Sequence, residues 1–111
     1  MTPPIYNFPD TIIKGDTFPS LEIKFPFIIT DACILMQFKR RAGDPPVFEW
    51  KTSDNTLAIL NATSVLMTSR KMDYPVYNFI YDLKVTFPDG TAYTYFQGTL
   101  KINQNISEKC Q

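Results

Sequence analysis

The chain has 111 residues, 44% of them apolar and 14% aromatic, which suits one compact domain with its own core and excludes intrinsic disorder. Eleven basic and eleven acidic residues cancel to zero net charge and are scattered, so nothing in the sequence marks a nucleic-acid or anionic-membrane binder. No apolar run is long enough to span a bilayer, and the opening MTPPIYNFPD lacks the basic and apolar regions of a signal peptide. Synthesis and assembly in a cytoplasm are therefore expected.

In chain order, residues 1–10 form an N-terminal arm with no strand of its own, carrying Ile5, Tyr6 and Phe8 among prolines. Thr11 to Phe18 gives two short apolar pieces around Gly15, where a bulge or tight turn can take positive φ. Leu21, Ile23 and Phe25 alternate with Glu22 and Lys24, the pattern of a half-buried strand, and Pro26 ends it or sets it on an edge. Ala32 to Arg40 is the next strand, with Ile34, Met36 and Phe38 on one face. After the AGDPP loop, VFEWK places Phe48 and Trp50 on one face and Glu49 and Lys51 on the other, and SDN marks a turn. Leu57 to Tyr74 is ambiguous: a strand followed by a turn, or by one helical turn after a Thr63 or Ser64 cap.

The last stretch, Tyr77 to Ile102, is the clearest. Phe79, Tyr81, Leu83 and Val85 share one face, and Ile80, Asp82 and Lys84 share the other. Pro88-Asp89-Gly90 is a hairpin turn. The return strand is expected to alternate without interruption, with Thr94, Phe96, Gly98, Leu100 and Ile102 on one face and Tyr93, Tyr95, Gln97, Thr99 and Lys101 on the other. The pattern gives six to eight strands and no sustained helical period, hence an all-β antiparallel sandwich or barrel over residues 11–106, with a polar tail at 107–111.

Histidine is absent, which removes the commonest general base and neutral metal ligand and the usual Ser-His-Asp and Cys-His systems. The four glycines are isolated, so no phosphate-cradling loop exists. No pair of acids sits in a setting that suggests glycoside hydrolysis. No enzymatic activity, cofactor or metal is expected. Cys33 and Cys110 are too few and too distant for a disulfide scaffold and are expected as free thiols. Asp82 has two readings: an exposed strand acid paired with Lys84 or Lys101, or a buried acid capping the amides of a loop. Tyr77, Tyr93 and Tyr95 also have two: a stacking platform for sugars, or outer-face aromatics half-buried by cross-strand neighbours. Asn61-Ala62-Thr63 and Asn105-Ile106-Ser107 match the glycosylation pattern, and with no signal peptide expected both are expected to be chance matches.

The order of Lys14-Gly15-Asp16, then Met36, Gln37 and Arg40, then Tyr81-Asp82-Leu83, Asp89-Gly90, and Gly98, Leu100 and Ile102 resembles the immunoglobulin-like structural domain of tailed phages. It is similar to the N-terminal domain of phage baseplate upper proteins. The resemblance runs from about Thr11 to Ile106, and Leu57 to Tyr74 matches poorly. It implies an immunoglobulin-like β-sandwich of about 7–8 strands and a non-enzymatic virion subunit of tail, baseplate or head decoration. Its implied partners are other virion structural proteins and copies of itself, with no nucleic acid, membrane or small-molecule substrate. The alternative is a small carbohydrate-binding or adhesion module. The candidate contact surface is Ile5, Tyr6, Phe8, Tyr77, Ile80, Tyr93 and Tyr95, read as the arm plus one contiguous sheet patch.

Overall fold

The computed structural model describes residues 11–104, a nearly all-β chain folded as a sandwich. Its strands are β1 (Ile12–Ile13), β2 (Thr17–Phe18), β3 (Leu21–Lys24), β4 (Cys33–Lys39), β5 (Phe48–Lys51), β6 (Leu57–Asn61), β7 (Ser64–Met67), β8 (Arg70–Lys71), β9 (Tyr77–Thr86) and β10 (Ala92–Asn103). The arm and tail, and with them Ile5, Tyr6, Phe8 and Cys110, lie outside the described residues.

One layer is a five-stranded sheet in the order β1-β10-β9-β4-β5. All its pairs are antiparallel except β1 with β10, which is parallel. The opposing strands form a three-stranded sheet, β3-β7-β6, and a pair, β2-β8. Between them lie Ile34, Met36, Phe38, Trp50, Phe79, Leu83, Val85 and Leu100 from the larger sheet, and Val65, Met67 and Leu57 from the smaller, all at most 1% exposed. Phe96, expected in this core, is half-buried against it.

The ten strands exceed the seven or eight expected, for two physical reasons. The first apolar stretch is split at Gly15, whose φ of 92° is favourable only for glycine. There the chain leaves β10, where Lys14 N–H donates to Asn103, and crosses to β8, where Gly15 N–H donates to the Met72 carbonyl. Secondly, the ambiguous middle segment is a hairpin, β6-β7, followed by the short β8. Thr63 caps no helix; its N–H is held by the Asn61 carboxamide oxygen at 2.9 Å, which shapes the turn. The only helical turn among the described residues is a 3₁₀ turn at Thr52–Asp54, closed by Asn55 in the left-handed region.

The β9-β10 hairpin turns where the sequence places it. Gly90 adopts φ 91°, and Thr91 N–H is accepted by the Asp89 carboxylate at 2.9 Å. That bond holds the Asp89 carboxyl below its ordinary pKa. β10 does not alternate without interruption. A bulge between Thr94 and Phe96 shifts its register against β9.

Candidate interaction surface

The bulge decides where the tyrosines go. Beyond it, Phe96 pairs with buried Leu83 and Gly98 with buried Tyr81, so both are on the core side of β10. Before it, Tyr93 pairs with buried Val85, so Tyr93 is on the core side too, where the hairpin overhangs the sandwich. Tyr95, the inserted residue, is turned inward with Phe96, its ring 4.9 Å from Phe25 and 5.7 Å from Phe27. Tyr95 is therefore part of an aromatic cluster and not of an outer face.

Tyr77 begins β9 on the same core side, with Arg40 stacked over its ring at 5.7 Å. Tyr77 and Val85, the partner of Tyr93, are eight residues apart on β9, roughly 27 Å at strand rise. Ile80 faces the opposite way, on the outer side of the sheet. The predicted sheet residues thus do not form one contiguous patch. Tyr77, Tyr93 and Tyr95 share no flat stacking platform.

What the fold does gather is a cluster at the hairpin end. Phe27 is 5.9 Å from Phe87, and Phe87 is 6.0 Å from Tyr93. These three rings, with Asp89 and Thr91, line an apolar cleft of about 530 Å³. The loop carrying Phe27 is pinned at both ends. Phe25 N–H donates to the Thr63 carbonyl and Ile29 N–H to the Ala62 carbonyl, each at 2.7 Å. Phe25 and Ile29 are buried, and between them the loop pushes Ile28 into solvent at 66% exposure. The same bonds bring the β6-β7 turn, with Leu60 at 50% exposure, to this end, where Tyr93 is 56% exposed. Large side chains left this open within one region mark a contact surface more often than scattered apolar residues do.

The outer face of the five-stranded sheet is different in kind. It forms an open depression of about 760 Å³ lined by Leu35, Gln37, Lys39, Ile80, Asp82, Lys84, Gln97 and Thr99, among others. The register aligns Glu49, Gln37, Asp82 and Gln97 in one row across four strands. Gln37 donates to Glu49 at 2.9 Å, as does Lys51. These two bonds, the Gln37 one first, hold the Glu49 carboxyl below its ordinary pKa. Asp82 is exposed, so the buried-cap reading fails. Its lateral neighbours are the carboxamides of Gln37 and Gln97, whereas Lys101 stands opposite Asn78 and Lys84 opposite Leu35 and Thr94.

Cys33 opens β4 as an exposed free thiol. Among the described residues no group of three Cys, Asp or Glu side chains gathers as a metal site. Sequence reasoning missed Phe27, Ile28, Leu60 and Phe87 as surface. The available signal was the run FPFII, whose two phenylalanines flank a proline and whose isoleucines are adjacent, so it cannot alternate as a half-buried strand. No known protein family, curated protein or solved structure matches the chain.

Proposed function

We propose that this chain is a non-enzymatic, immunoglobulin-like module that works by protein–protein contact, as a structural subunit of a bacteriophage or prophage particle, in its tail, baseplate or head decoration. The observation that carries the contact reading is the exposed aromatic cleft of Phe27, Phe87 and Tyr93 beside Ile28. Aromatic residues at the centre of an apolar patch are the usual anchors of protein interfaces.

The viral assignment draws on the ordered motifs from Lys14-Gly15-Asp16 to Gly98, Leu100 and Ile102. The immunoglobulin-like assignment gains support from the neighbour order β10-β9-β4, which parallels the G, F and C strands of such domains. It departs from antibody domains in having its buried tryptophan, Trp50, on β5 and no described inter-sheet disulfide. The non-enzymatic reading is supported by the absence of histidine and by the openness of the depression on the outer sheet face.

The test is to replace Ile28 and Tyr93 together by Ser and measure association, with copies of itself and with particle components, by sedimentation velocity. Loss of association with an unchanged circular dichroism spectrum is the expected result. Full-strength association with the fold intact would refute the contact reading.

A further inference from the structure

We propose that the hairpin end docks against the opposite end of a second copy of this chain, at the corner formed by Arg40, Val76 and Tyr77, so that copies associate head to tail. This rests on the reading of the hairpin end as a contact surface, and it names the partner.

The two ends differ in charge. Three connections meet at the hairpin end, residues 25–32, 61–63 and 87–91. They hold two acids, Asp31 and Asp89, both exposed, and no base. The Thr91 N–H, donating to the Asp89 carboxylate at 2.9 Å, holds that carboxyl below its ordinary pKa and so keeps it ionised at neutral pH. The bases Lys24 and Lys84 stand back on the outer faces of the two sheets.

The other end is basic. β9 runs from Thr86, beside the hairpin, to Tyr77, about 30 Å away at strand rise. There the Arg40 guanidinium lies over the Tyr77 ring at 5.7 Å, and Lys101 stands opposite Asn78. The acids of the adjoining connections are already taken, Asp44 by Arg41 and Asp73 by Lys14, each at 3.4 Å. Among the described residues neither Arg40 nor Lys101 has a carboxylate partner.

The corner also carries what an apolar cleft needs. Val76 and Tyr77 are adjacent, 44% and 41% exposed. The cleft is lined by the Phe27, Phe87 and Tyr93 rings, with Asp89 and Thr91. A ring capped by a guanidinium suits this lining. The Tyr77 ring packs among aromatic neighbours, and Arg40 meets the Asp89 carboxylate in a charge-assisted hydrogen bond. Tyrosine and arginine are also the side chains most enriched as interface anchors.

Charge selects this occupant over a second hairpin end. Two hairpin ends face to face would set Asp31 and Asp89 of both copies against each other, and like-charge juxtaposition disfavours that. The zero net charge leaves no overall repulsion between copies, so the opposed ends orient them. Because the two contact surfaces differ, the contact is heterologous, and its repetition closes a ring or extends a filament.

The experiment is sedimentation velocity on two variants of the full chain, singly and mixed in equal amounts. Ile28→Ser with Tyr93→Ser blocks the hairpin end, and Arg40→Glu with Val76→Ser blocks the opposite corner. All these side chains are exposed, so both variants should keep the parent's circular dichroism spectrum. Each variant alone should sediment as a monomer, because every contact needs one end of each kind. The mixture should give dimers and nothing larger, since each chain keeps one intact end. In the parent, association should weaken as salt rises from about 0.1 to 1 M, where the screening length falls from ~10 to ~3 Å. A corner-blocked variant that associates at full strength, beside a hairpin-blocked one that does not, would overturn head-to-tail docking and leave the contact reading standing. A monomeric parent would do the same, assigning the hairpin end to another particle component. Monomeric variants that stay apart on mixing, or a parent whose association ignores salt, would also overturn the proposal. Full-strength association by the hairpin-blocked variant would sink both readings.

Discussion

Two aromatic clusters of similar composition occupy this sandwich, and only one is sealed. In the interior cluster, Phe38 stacks on Phe48 at 4.6 Å and on Tyr81 at 4.9 Å, and Trp50 meets Phe18 at 5.7 Å. Its polar edges are satisfied: the Trp50 indole N–H donates to the Thr68 carbonyl at 2.9 Å, and the Arg70 guanidinium lies 4.0 Å above the ring. The hairpin-end cluster of Phe25, Phe27, Phe87, Tyr93 and Tyr95 has comparable ring spacings, but it opens to solvent at Tyr93 and Ile28. The difference teaches that aromatic content does not assign a role. Closure and satisfied polar atoms make one cluster a source of stability, and openness makes the other a surface.

Trp50→Ala should break the sealed cluster most severely, at about 3–5 kcal/mol, because it empties the core and leaves the Thr68 carbonyl and Arg70 without their partner. Leu83→Ala, fully buried on β9, should cost about 2–5 kcal/mol. Urea melts of both variants measure these losses. A cost below about 1 kcal/mol for Trp50→Ala would mean that the interior cluster is no more essential than the open one.

The open region should respond in the opposite way. Ile28→Ser should leave the melt within about 0.5 kcal/mol of the parent, since the side chain is mostly in water, while weakening association. Asp82→Asn should be equally mild in the melt and should leave association unchanged, because Asp82 lies on the outer sheet face, away from the cleft. A large loss of stability for Asp82→Asn would show that the carboxylate is structurally engaged.

A pH series sharpens the same contrast on the outer face. The Glu49 carboxyl is held low in the folded state by Gln37 and then Lys51, so it binds its proton less readily folded than unfolded. Its stabilising contribution is thus present above the ordinary carboxylate pKa and is lost as pH falls through the lowered one. Glu49→Gln should flatten the acid limb of the stability curve. An acid limb identical to that of the parent would contradict this assignment.

The sequence made the β9-β10 hairpin legible because period-two alternation and Pro88-Asp89-Gly90 agree with each other, and Phe79, Tyr81, Leu83 and Val85 are buried as that alternation requires. The same alternation misplaced Tyr95, since one inserted residue reverses every face assignment before it and leaves no mark in composition. Leu57 to Met67 stayed ambiguous because short apolar runs suit a strand or a helical turn, and the choice is made by pairing with β3 across the sheet. Phe27 and Ile28 were hidden for a similar reason. Their exposure depends on the bonds from Phe25 to Thr63 and from Ile29 to Ala62, which join residues more than thirty positions apart.

The most direct test of whether the hairpin end is the contact surface is sedimentation velocity of the Ile28→Ser, Tyr93→Ser double variant beside the parent protein at matched concentration. The parent should associate, and the variant should sediment as a monomer with the parent's spectrum and melt. A variant that associates as strongly as the parent, with its fold intact, would contradict it.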